Sequence, residues 1–75
     1  MFEKVKQFLV EECRVNPDTI TLEAELAGDL GINSLELAEL VFVIEDRLNI
    51  EIDDEDILGI RTVGDLVAYL EDKAQ

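Results

Sequence analysis

The sequence predicts an all-α fold: a four-helix bundle of three longer helices and one short helix, with a long loop between helices 1 and 2. Three observations carry this reading. Apolar residues recur at helical spacing over Phe2–Arg14, Ser34–Leu48 and Val63–Asp72. Start and stop signals bracket those stretches, with Asn33 and Thr62 as caps and Asn16-Pro17 as a break. At 48% hydrophobic residues, the 75-residue chain is too apolar for a disordered acidic tail, yet no apolar run approaches membrane-spanning length. The length is read as one domain, 1–75, with no room for a second.

The first helix is expected over Phe2–Arg14. Phe2, Val5, Phe8, Leu9 and Cys13 make one stripe, and "VNPD" stops the helix. Cys13 lies in that stripe and reads as a buried structural thiol. As the single cysteine it forms no internal bridge, and the chain has no histidine to activate it. The missing histidine also excludes Cys/His zinc sites and any histidine base. From Asp18 to Asn33 the chain reads as an ordered loop pinned to the core by Leu22, Ala24, Leu26 and Leu30. "TITLEAEL" alternates like a strand, but a lone strand has no evident partner, so a loop with a helical turn is preferred.

The second helix is expected over Ser34–Leu48, followed by a connection and a short third helix over Glu55–Ile60. The last helix, Val63–Asp72, starts on a capping box of Thr62 and Asp65 and buries Val63, Leu66, Val67 and Leu70. With three Phe, one Tyr and no Trp, the core must be mostly Leu, Ile and Val.

The second helix has two faces. On a helical wheel Leu40, Val41, Ile44 and Leu48 fall within about 60° of Leu37 and form the core stripe. Leu35, Ala38 and Phe42 fall elsewhere, flanked by Glu39 and Asp46. Exposed apolar groups framed by acids suggest a docking surface; the competing reading is that the neighbouring loop covers Leu35 and Phe42. Glu36, Glu45 and the run Asp53–Asp56 extend the negative field.

With 6 basic against 19 acidic residues the net charge is −13, which argues against nucleic acid and anionic membrane partners and for basic ones. "DDEDILGI" lacks the alternating ligands of an EF-hand, so no specific metal site is expected. "MFEKVKQFLVEECR" carries acids and no secretory pattern, and a cytoplasmic, reduced protein is the default expectation.

One stretch, "GDLGINSLEL", holds the only serine. Asn33 is a good N-cap with Glu36 three residues on, so Ser34 opens the helix with its hydroxyl near unpaired N–H groups. Nothing nearby makes the serine a nucleophile. Local sequence alone favours a plain capping role.

The longer segment "DLGINSLELAELVFVIEDRLNIEI" resembles the centre of the acyl carrier proteins, in which a D-L-G-x-D-S-L motif leads into the second helix of a four-helix bundle. The resemblance extends over essentially the whole chain. It implies that Ser34 receives 4′-phosphopantetheine from coenzyme A through a separate phosphopantetheinyl transferase, and that the chain is not an enzyme. It implies docking of acyl-transferring and chain-modifying enzymes with basic surfaces through Leu35, Glu36, Glu39, Phe42, Glu45 and Asp46, with Asp54 and Asp56 added, and an acyl chain lined by Val43 and Ile60. A monomer is expected. Asn33 stands where the family carries aspartate. Aminoacyl, D-alanyl or polyketide cargo, and an unmodified acidic binding module, are the alternative readings.

Overall fold

A computed structural model describes residues 1–73; the last two residues of the expected 1–75 domain lie outside the described residues. In chain order it contains α1 (Phe2–Cys13), a 3₁₀ turn (Pro17–Thr19), α2 (Ser34–Leu48), α3 (Asp54–Ile57) and α4 (Val63–Lys73). This is the expected all-α arrangement. No helix among the described residues is long and apolar enough to cross a membrane.

α1 stops one residue short of the expected Arg14. Arg14 turns left-handed at φ 56°, ψ 36°, and the Val15 N–H then reaches back to the Leu9 carbonyl at 3.3 Å. Val5, Phe8 and Leu9 are buried, whereas Cys13 is only half-buried because it sits in the last turn of the stripe. That corrects the buried-thiol reading. Partial burial, and then the charges of Glu36, Glu12 and Glu39, raise the Cys13 pKa above its ordinary value and keep the thiol protonated.

The centre of the bundle is Val5, Leu9, Leu40, Ile44, Val63, Leu66 and Leu70, with α1 packed on both α2 and α4. Each such side chain contributes about 1.5–3 kcal/mol by leaving water. Leu37 and Leu48, at the two ends of the α2 core stripe, are half-buried.

The long loop is ordered by a partner distant in sequence. Glu25 and Thr62 form a single antiparallel bridge. On either side of it, the Leu26 N–H donates to the Arg61 carbonyl at 3.0 Å and the Val63 N–H to the Ala24 carbonyl at 2.9 Å. Ala24 and Leu26 are buried as expected, and Leu30 is half-buried. Leu22 is not a core anchor: its side chain is 48% exposed. Its backbone does the anchoring, since its carbonyl accepts the Gly64 N–H at 2.8 Å. A Cβ on Gly64 would lie 2.9 Å from that oxygen, so only glycine permits the approach.

α3 is shorter than expected and begins earlier, at Asp54 in place of Glu55. Past Ile57 the N–H groups of Gly59 and Ile60 bond only three residues back, to Asp56 and Ile57 at 3.1 and 3.0 Å, and the helix closes into a turn. Leu58 consequently faces solvent. The Tyr69 hydroxyl donates to the Asp56 carboxylate at 2.6 Å and ties this short element to α4. α4 runs one residue beyond the expected Asp72, to Lys73.

Candidate functional site

The segment before α2 is built to hold Asn33 still. The Asp29 and Leu30 N–H groups both donate to the Glu25 carbonyl at 3.0 Å, and the Asp29 carboxylate accepts the Glu25 N–H at 2.8 Å. Gly31 then takes φ +71°, a left-handed turn that glycine adopts without strain. Ile32 is buried and its N–H reaches the Leu26 carbonyl at 2.9 Å.

Asn33 therefore arrives extended, at φ −85°, ψ 175°, and makes a complete capping box. Its side-chain oxygen accepts the Glu36 N–H at 2.8 Å. The Glu36 carboxylate accepts the Asn33 N–H at 3.2 Å. The N–H groups of Ser34 and Leu35 find no acceptor among the described residues. Ser34 is exposed, beside those two free donors at the positive end of the α2 dipole.

Ser34 lies where two clefts meet. One, about 310 Å³, is lined by Ile32, Asn33, Ser34, Leu37, Leu58 and Ile60, and has Glu25 and Arg61 in its walls as well. The other, about 330 Å³, is bounded by Ser34, Leu37, Ala38, Ile57, Leu58 and Ile60 and has no charged side chain in its walls. The hydroxyl thus opens onto one cleft with charged residues in its walls and one apolar cleft.

The sequence-derived residues separate on this geometry. Ser34, Asn33 and Ile60 come together, with Ile60 lining both clefts. Val43 lines neither; it is half-buried and packs against the core. Leu35 and Phe42 are 69% and 72% exposed, so no loop covers them. Glu39, Asp46 and Asp54 are exposed. Glu36, Glu45 and Asp56 are half-buried and already engaged. Glu36 closes the capping box, Glu45 accepts the Ile52 N–H at 2.9 Å, and Asp56 accepts from Tyr69.

Sequence reasoning missed Leu58, Ile57 and Arg61. Leu58 is 89% exposed on the lip shared by both clefts. The available sign was Gly59 directly after it, a poor helix former just past the point where α3 stops.

The residues present fit a phosphate-linked group at Ser34. The hydroxyl is free, two backbone donors beside it are unused, and two adjoining clefts open next to it.

Comparison with known proteins bears on this site. Residues 3–70 match the family model described as a phosphopantetheine attachment site. The acyl carrier protein of Clostridium perfringens strain SM101 is 44% identical over 70 residues, 93% of this chain and 92% of its own. That of Wolinella succinogenes is 44% identical over 71 residues, covering 95% and 93% of the two chains. That of Bdellovibrio bacteriovorus is 43% identical over 72 residues, covering 96% and 92%.

Proposed function

This chain belongs to the phosphopantetheine-attachment family, and we propose on that premise that it is an acyl carrier whose 4′-phosphopantetheine arm is joined to Ser34. The observation that supports Ser34 as the attachment point is its place as an exposed hydroxyl at the meeting of two clefts. The arm supplies a terminal thiol on which an acyl group travels as a thioester.

Each neighbouring residue has a task in this reading. Asn33 and Glu36 hold the first turn of α2 in register, so the hydroxyl projects outward. The unused Ser34 and Leu35 N–H groups favour a negative charge beside it. Leu37, Ile57, Leu58 and Ile60 offer the apolar cleft to cargo. Leu35 and Phe42, framed by Glu39 and Asp46, form the docking face for basic surfaces of fatty acid or related biosynthetic enzymes, with Asp54 beyond the helix end.

The chain serves as carrier and not as catalyst. Installation of the arm is the work of a separate transferase, drawing on coenzyme A in the cytoplasm. The test is direct: incubate the chain with coenzyme A, Mg²⁺ and a broad-specificity transferase, and record intact mass. One added phosphopantetheine on the wild type, and none on Ser34→Ala, is the expected result. No addition with several different transferases would overturn the proposal.

A further inference from the structure

The charged wall of the first cleft contains a feature that carriage of an acyl group does not itself require. The chain has 6 basic residues against 19 acidic ones. Of those basic residues, Arg61 alone lines a cleft shared with Ser34. Its guanidinium lies 3.6 Å from the Glu25 carboxylate, with the two side chains 77% and 43% exposed. An ion pair this open and this long contributes little and is readily exchanged for another.

A phosphodiester at Ser34 would add a negative charge to a cleft wall that already holds Glu25, in a protein of net charge −13. Guanidinium is the side chain best shaped for phosphate oxygens, offering a planar fork of donors. The backbone positions Arg61 for this: its carbonyl accepts the Leu26 N–H at 3.0 Å, and its own N–H donates to the Asp65 carboxylate at 3.1 Å. The main chain is held at both groups while the long side chain stays free to swing.

We propose that Arg61 is a positioning residue for the arm: it exchanges its Glu25 partner for the phosphodiester at Ser34 and draws the root of the arm over the cleft that Arg61 lines. This rests on Ser34 being the attachment point. The consequence is directional. An arm rooted toward Arg61 leaves the Leu35–Phe42 face uncovered for partners, and its release requires only that Glu25 recapture the guanidinium.

The experiment compares unmodified and modified protein, with mass spectrometry certifying the arm on each sample. In the wild type, NMR should show the Arg61 Nε–Hε resonance moving on modification, with Lys73 as an unaffected reference cation. Attachment should change the folding equilibrium constant more favourably in the wild type than in Arg61→Gln, by a factor of roughly two to five at low salt. The difference should shrink at high salt, and Arg61→Lys should keep part of it. An unmoved Arg61 resonance, together with identical effects of attachment in wild type and Arg61→Gln, would overturn the role of Arg61 while leaving attachment intact. Absence of the arm by mass would instead overturn attachment, and this role with it.

Discussion

Replacing Asn33 with alanine separates the cap from everything else at the site. In the wild type, the Asn33 side chain takes the Glu36 N–H at 2.8 Å and the Glu36 carboxylate returns to the Asn33 N–H at 3.2 Å. Alanine removes the first bond and leaves the Glu36 N–H to water. The position is exposed, so no buried donor is orphaned and the loss stays near the ordinary cost of an N-cap, about 1 kcal/mol. For a domain of this size that lowers Tm by roughly 4–8 °C. Aspartate at the same position behaves differently. It keeps the acceptor and gains about 0.3–1 kcal/mol from the helix dipole. Against this stands the Glu36 carboxylate already bonded to the same residue, a repulsion of about 1 kcal/mol at 4 Å in water. The two terms cancel, and Asn33→Asp should melt within about 2 °C of the wild type. Thermal unfolding measures both variants, and hydrogen exchange at the Glu36 amide should quicken in Asn33→Ala alone. An Asn33→Ala protein with unchanged Tm and unchanged Glu36 exchange would refute the view that this box holds Ser34 in place.

Other outcomes follow from contacts elsewhere. Tyr69→Phe removes the 2.6 Å hydrogen bond to Asp56 and should cost about 1 kcal/mol in urea unfolding, with faster amide exchange at Gly59 and Ile60 while the α1 amides stay protected. Gly64→Ala forces a Cβ to within 2.9 Å of the Leu22 carbonyl oxygen and should destabilise by about 1–3 kcal/mol; an unchanged midpoint would mean the loop yields freely. The Asp65 carboxyl is held below its ordinary pKa, first by the Thr62 N–H and then by the Arg61 N–H. A pKa lower in the folded than in the unfolded state means stability that is present above the ordinary aspartate range and lost as pH falls through the depressed native value. Urea titrations of wild type and Asp65→Asn should therefore converge on acidification through that window and differ at neutral pH.

What the sequence revealed depended on how local the determining interaction is. α2 was legible to its end residues because both of its ends lie in nearby side chains and backbone: Asn33 with Glu36 at the start, and at the finish Asn49, left-handed at φ 55°. The stop at α1 was misread by one residue because an arginine, and not a glycine, adopts the left-handed turn there. "TITLEAEL" forms no strand and pairs only through the single Glu25–Thr62 bridge, whose partner segment, Arg61–Val63, is more than thirty residues away and carries no local sign. For the same reason the Leu22 side chain reads as a core anchor, when its carbonyl makes the contact. The site divided along similar lines. Ser34 and the exposed Leu35–Phe42 face follow from a motif and a helical wheel. Arg61 and Leu58 enter only because the chain folds back beside α2, and Val43 drops out of the cleft because α2 turns it to the core.

The first cleft at Ser34 has the long loop as one wall, whereas the apolar one lies between α2 and residues 57–60. On the loop side, three backbone hydrogen bonds, from Leu26 to Arg61, from Val63 to Ala24 and from Gly64 to Leu22, rivet the wall to the start of α4. Facing α2 across the apolar cleft stands α3, four residues without a fully buried side chain, held by the half-buried Ile57 and by the Tyr69–Asp56 hydrogen bond. The apolar cleft therefore has no wall on the riveted loop and takes its width from α2 and residues 57–60. Substitutions within residues 57–60 would then reshape that cleft while leaving α2 and the loop as they are.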